Sequence, residues 1–290
     1  MIPVLVLVLA IVGAGTLTAL LLAARRQRRR ARREALASQP FPPAWRHLLE
    51  TQVELYRWLP PDLREQLHGR IQIFLAEKQF FGARGQAVTD EVRLSIAAQA
   101  CLLLLNRETD FFPGLLSVVV YPTAFVTREP AVDTPDVHID EDTVMGGESW
   151  PFGTLVLAWD EVAEPDPEGE YGLNLVLHEF AHQLDDEDGD SNGVPLLPSR
   201  AARKVWIRTL ATEFKALQHK VKRQQVDVLD EYAAENPAEF FAVAVETFFS
   251  LPENLREEHP GLYTQLKTYF NLDPAAWPTP PEPSPEVGVE

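Results

Sequence analysis

His178-Glu179-Phe180-Ala181-His182 spells H-E-x-x-H inside the apolar run YGLNLVLHEFAHQLD. Metal-assisted hydrolysis is the chemistry this spacing permits. On a helix, residues four apart share a face, so two imidazoles there reach one Zn²⁺ at about 2.0–2.1 Å each. Glu179, beside the first histidine, is placed to take a proton from a zinc-held water. Zinc lowers the pKa of that water toward about 7, so a carboxylate is base enough. The plainer alternative is two hydrogen-bonded histidines at a helix edge. Against it, Leu175, Val176, Leu177, Phe180, Ala181 and Leu184 supply a buried helix body, and no Gly or Pro interrupts residues 173 to 188.

A catalytic zinc takes three protein ligands and keeps one position open. The longer pattern H-E-x-x-H-x-x-G-x-x-H fails, because Asp185 and Asp188 replace its Gly and its third His. A downstream glutamate remains, and DEYAAENPAEFFAVAVETFF offers Glu231, Glu235, Glu239 and Glu246. Local physics leaves the choice open. Asn236 suits a helix N-cap and Pro237 the first helical position, so Glu239 could equally complete a capping box. Glu246 lies two turns further among apolar residues and needs a partner. It either orients a zinc-bound histidine or is a helix-surface acid. Asp185 is likewise a support for the site or a solvated helix end. The stretch from Asp188 to Gly193 starts like a calcium loop, but Ser199 stands where the bidentate Glu belongs, so it reads as a tight acidic turn. His47, His68, His138, His219 and His259 show no metal spacing, and neither a Gly-rich phosphate loop nor G-x-S-x-G is present.

The elements that must hold these residues are mostly helical. Periodicity and capping signals predict helices at 43–56, 60–75, 89–106, 199–219, 237–251 and 260–270. LLSVVVY (115–121) and TLVLAWD (154–160) read as strands. REPAVDTPDVHIDED, EPDPEGE and DGDSNGVPLLP read as loops. Helices with a small sheet ahead of the metal helix make the class α+β. A folded body spans 40–273, and the Pro- and Glu-rich tail, 274–290, is expected to be disordered. Cys101 is the one cysteine, so no internal disulfide forms; it reads as a small core residue.

Residues 2 to 24 carry no charged side chain. That length crosses a hydrocarbon layer of about 30 Å. Seven arginines follow between Arg25 and Arg33, before the first acid, Glu34. A cleaved signal peptide would carry its charge ahead of a shorter apolar core. A transmembrane anchor (1–24) with a basic juxtamembrane linker (25–39) is therefore expected. The positive-inside rule puts the body at the cytoplasmic face of the inner membrane, with the arginines near anionic head groups. The chain has 43 acidic and 26 basic residues, net −17. Such a body is repelled by nucleic acid, and solubility is the plain meaning of its charge.

FPPAWRHLL, LAEKQFFGARG, TDEVRLSIAAQACLLLLNR, VVVYPTAF, GESWPFGTLVLAWD, NLVLHEFAHQLDDEDGDSNGVP, YAAENPAEFFAVAVETFF and LPENL occur in order between about residues 41 and 274. Together they resemble the Mlc titration factor A (MtfA) family of zinc-dependent peptidases. The resemblance implies a zincin-like, gluzincin fold with His178, His182 and Glu239 on zinc and Glu179 as catalytic acid/base. That family resembles the gluzincin domain of anthrax lethal factor, which has a Tyr seven residues before its ligand Glu. Tyr232 holds that place here, where it can donate to the oxyanion of a tetrahedral intermediate. The resemblance further implies aminopeptidase-type activity on short peptides and an Mlc-like transcriptional repressor as a partner. The apolar N-terminal segment departs from the family's soluble pattern.

Overall fold

The computed structural model describes residues 2–123, 125–127, 143–145, 147–150, 153–164 and 172–278, with side chains at 15–123, 153–164 and 172–278. The chain begins with α1 (Ile2–Ala37), then α2 (Pro43–Gln52), α3 (Glu54–Trp58), α4 (Pro61–Glu77), β1 (Gln79–Gly82) and α5 (Asp90–Leu102). Strands β2 (Ser117–Tyr121), β3 (Phe125–Thr127), β4 (Thr143–Met145), β5 (Gly147–Trp150) and β6 (Thr154–Ala158) come next. The rest is helical: α6 (Trp159–Ala163), α7 (Leu175–Asp185), α8 (Arg200–Lys222), α9 (Pro237–Ser250), α10 (Pro252–Glu258) and α11 (Pro260–Phe270).

One sheet runs β1-β2-β6-β5, and β3 pairs with β4 in a separate ribbon. β1, β2 and β6 are parallel, while β5 joins β6 antiparallel. Val118 and Val120 of β2 and Leu155–Ala158 of β6 are fully buried, as expected of parallel strands covered on both faces. The α+β class is as the sequence implied. Helix α7 packs on α5, α9, β5 and β6, so the H-E-x-x-H helix lies between the sheet and the C-terminal helices.

Helix α9 explains itself by composition. PAEFFAVAVETFFS is apolar around its whole circumference, and Phe240 to Phe249 are all buried. A helix of that kind has to be central. Helix α7 is fixed to the core by Phe180, which sits between the two motif histidines in sequence and packs on Phe74 and Phe112 at ring distances of 5.8 and 4.8 Å. Truncating such a ring to Ala costs about 3–5 kcal/mol. Cys101 is fully buried, and burial pushes its thiol up, out of reach of nucleophilic use.

The expected helix 43–56 is broken in two, because Val53 is extended (φ −117°, ψ 98°) between α2 and α3. The tail is not disordered from Pro274. Pro274 is buried in a short turn, and Trp277 packs 6.2 Å from Phe249; residues 279–290 lie outside the described ones. So do 128–142 and 165–171, where two of the acidic loops were expected.

At the N-terminus, residues 25–37 continue α1 and dock on α4. Arg33 grips Glu77 through two 2.8 Å bonds and stacks 4.5 Å over Phe111. A Cβ at Gly69 would lie 3.0 Å from that of Ala37, so the two helices touch there. The basic segment is thus part of a docked helix. Among the residues whose side chains are described, which in α1 begin at residue 15, no helix is long and apolar enough to cross a membrane.

Candidate metal centre

Asn174 starts the motif helix. Its side chain accepts from Leu177 N at 2.9 Å, and its amide donates to Gln99 Oε1 of α5 at 2.5 Å. Starting there, His178 and His182 come to one face. Their Nε2 atoms are 3.1 Å apart. Glu239 Oε2 lies 3.0 Å from the first and 3.4 Å from the second. Glu239 reaches them because Asn236 caps α9, accepting from Ala238 N and Glu239 N at 2.9 and 3.1 Å. The cap is therefore real, while the Glu239 carboxylate turns to the imidazoles instead of back to the cap.

The donor set fits a tetrahedral divalent ion. Two ligands at about 2.05 Å and a tetrahedral angle stand roughly 3.3 Å apart, and the three contacts here are 3.0, 3.1 and 3.4 Å. The charge balance points the same way. Burial lowers the affinity of His178 for a proton, but hydrogen bonds to Glu239 and Glu246 outweigh it and hold the ring at about 10. Burial raises Glu239, and the two histidines bring it down to about 2. The cluster collects positive charge.

Glu246 settles one of the open alternatives. It is buried, and its Oε1 takes His178 Nδ1 at 2.6 Å while Oε2 accepts from Asn174 N at 2.6 Å. A carboxylate on Nδ1 fixes the tautomer and leaves the Nε2 lone pair for a metal. Asp185 settles differently. It is fully buried and touches neither imidazole; its Oδ2 accepts from Gly193 N at 2.6 Å. Gly193, at φ +75°, packs so close to the start of α9 that a Cβ would sit 2.3 Å from Pro237 O. Asp185 thus braces the loop that abuts the Glu239 helix. The calcium-like stretch is a tight turn, with Asp190 N on Asp188 Oδ1 and the Ser191 hydroxyl on Asp186.

Glu179 is buried beside the pair, and desolvation pushes its carboxyl up, the direction a proton-shuttling acid requires. Tyr232 sits in a short turn, Glu231–Ala234, capped by Asp230, whose Oδ1 accepts from Tyr232 N at 2.8 Å. Its ring is 6.1 Å from that of His178, and the residue is 45% exposed beside the histidine pair. Burial, then Glu239, Glu235 and Glu179, push the phenol up to about 12, and it remains a donor. Glu231 and Glu235, the other acids weighed as ligands, are exposed.

Asp227, Glu258 and His259 form a second cluster with metal-ligand atoms in reach of one another. Sequence spacing gave no sign of it, since its members come from distant elements. His259 is buried between Glu213 (2.9 Å) and Asp227 (2.8 Å), and Lys220 Nζ bonds Asp227 at 2.5 Å. Imidazolium and ammonium already supply its positive charge, so it is an ion-pair network that ties α8 to the start of α11.

Residues 25–271 match the family model described as "Glucose-regulated metallo-peptidase M90". The chain is 42% identical to the uncharacterized protein slr2042 of Synechocystis sp. over 246 residues, 84% of this chain and 89% of that protein. It is 36% identical to Mlc titration factor A of Pectobacterium atrosepticum over 206 residues, 70% and 77% of the two chains. With Mlc titration factor A of Klebsiella pneumoniae the identity is 32% over 206 residues, again 70% and 77%.

Proposed function

The chain belongs to the glucose-regulated metallo-peptidase M90 family and is kin to the Mlc titration factor A proteins, and from that premise we propose that it is a zinc-dependent peptidase of aminopeptidase type. The supporting observation is the triangle of His178 Nε2, His182 Nε2 and Glu239 Oε2 with the buried Glu179 beside it. Zinc held by these three residues would supply Lewis acidity and an acidified water.

The chain's own residues do the rest. Glu179 takes the water's proton and passes it to the leaving amine. Tyr232 donates its phenolic hydrogen to the oxyanion that forms on the scissile carbon. Glu246 keeps His178 in the ligating tautomer. Among the described residues, β5 is the edge strand of the sheet beside α7, and an extended peptide could add to the sheet there. Glu235 is exposed near Tyr232, and its charge suits a substrate's free α-ammonium group.

The test is Glu179→Gln. Zinc content should stay at the wild-type level while kcat on short unblocked peptides falls by about 10²–10⁴-fold. Undiminished turnover would remove Glu179 from the reaction, and equal turnover of N-acetylated peptides would remove the amine preference. A second role, carried by the relatives' name alone, is binding of an Mlc-like transcriptional repressor. In a pull-down with the full chain, no repressor retained either with zinc or without it refutes that role.

A further inference from the structure

Helix α1 divides its seven arginines by face. Arg29 and Arg33, one turn apart, are committed to the body through Glu77 and Asp110. Arg26 and Arg30 line the groove between α1 and α4, where Arg30 also pairs with Glu34. Arg25, Arg28 and Arg32, spaced by three and four, share another stripe. They are exposed and make no ion pair among the described residues.

Ahead of them the helix stands clear of the body. Leu17, Leu20, Leu21 and Leu22 point in successive directions around it, yet are 58%, 67%, 57% and 51% exposed. A helix that is apolar all round belongs in an apolar medium. The sequence stays uncharged from there back to residue 2, and such a run at 1.5 Å per residue spans about 34 Å. Neither Gly nor Pro occurs from residue 16 to Ala37, so nothing in the sequence breaks the helix between this apolar part and the docked part.

We propose that α1 mounts the protein on an anionic lipid surface. Its apolar end enters the bilayer, Arg25, Arg28 and Arg32 take lipid phosphates at the boundary, and Arg29 and Arg33 hold the body at a set angle to the membrane. A guanidinium fork matches phosphate oxygens. The acidic body opposes the same leaflet, so the arginine stripe sets the point where attraction ends. With the basic flank on the inner side, the body lies on the cytoplasmic side. Exposed leucines adjoining the stripe favour lipid over nucleic acid as the partner.

The experiment is flotation of the full chain with vesicles of phosphatidylcholine alone or doped with phosphatidylglycerol. The full chain should float with both, and more strongly with the doped vesicles. The combined Arg25→Gln, Arg28→Gln and Arg32→Gln variant should lose about a hundredfold in partitioning onto doped vesicles at low salt, from about fivefold per basic side chain near an anionic leaflet. These residues have no ion-pair partner among the described residues, so the body's described contacts stay intact in the variant. A dye on Glu257→Cys, with Cys101 buried and unreactive, reads the angle by energy transfer to a lipid-phase acceptor. The distance distribution should be narrow in the wild type and broad in Arg29→Gln/Arg33→Gln. Failure to float, or equal partitioning on both vesicles that the triple change leaves untouched, overturns the lipid contact. So does a DNA duplex that displaces the chain from doped vesicles. An unbroadened distribution in the second variant overturns the brace.

Discussion

Consider Glu246→Gln, which keeps shape and volume and removes one acceptor. The native carboxylate serves two buried donors, His178 Nδ1–H and Asn174 N–H, each at 2.6 Å. A carboxamide has one oxygen, so one donor must face its NH₂ group. If Asn174 N–H loses, the start of α7 is left with an unpaired buried amide, costing about 1–3 kcal/mol of stability. If His178 loses, the ring takes the other tautomer and its Nε2 carries a hydrogen where the metal's lone pair should be. Losses of such a supporting contact typically cost 10–100-fold in metal affinity, or about 1.4–2.8 kcal/mol. The two outcomes share one energy scale, so zinc affinity should fall by at least about tenfold, or the metal-free melting temperature should drop. Chelator competition measures the first and thermal denaturation of the metal-free chain the second. A folded variant with zinc affinity within about threefold of wild type and an unchanged melt would refute the argument that Glu246 orients His178.

Tyr232→Phe should lower kcat by about 10²–10³-fold with KM and zinc affinity near wild type; steady-state kinetics on short peptides would show otherwise if the phenol is a bystander. Asp185→Ala should leave Gly193 N–H without its acceptor, lower stability by about 1–3 kcal/mol and, by loosening the loop against Pro237, weaken zinc binding as well. Chelator competition that finds zinc affinity intact would confine Asp185 to stability. His259 bears on pH dependence. Desolvation lowers it, but Asp227 and Glu213 outweigh that and raise it from 6.5 to about 9. A raised histidine contributes stability that is fully present below about 6.5 and is lost as pH rises through about 9. Urea melts of the wild type should therefore weaken between those limits, and His259→Gln should flatten the slope; parallel profiles would exclude the network as its source.

Local signals were legible and long-range ones were not. Asn236 and Pro237 announce a helix start because capping is a contact within four residues. H-E-x-x-H announces two ligands because one helix turn brings them together. The third ligand needed the spatial meeting of α7 and α9, and without the family resemblance Glu239 could have been a capping acid as readily as a ligand. Glu246 was an even choice for the same reason: its partners lie 68 and 72 residues away. The QFFG strand is four residues long, too short for alternation to register, and is defined by pairing with β2. The arginines of α1 read as a linker because charge runs usually are solvated; only Glu77 and Asp110, brought close by folding, turn two of them into a brace. The start of the tail misled through its composition, since Trp277 outweighs its prolines by packing its tilted ring against Phe249.

The cradle formed by α7 and α9 is framed by contacts that the protein makes with itself. Asn174, Gln99, Glu246 and the Asp185–Gly193 contact lock its frame from behind, and Phe180 and the α9 aromatics anchor it in the core. Most of the ordering cost is met during folding, so loading resembles filling a rigid socket more than condensing a floppy finger domain.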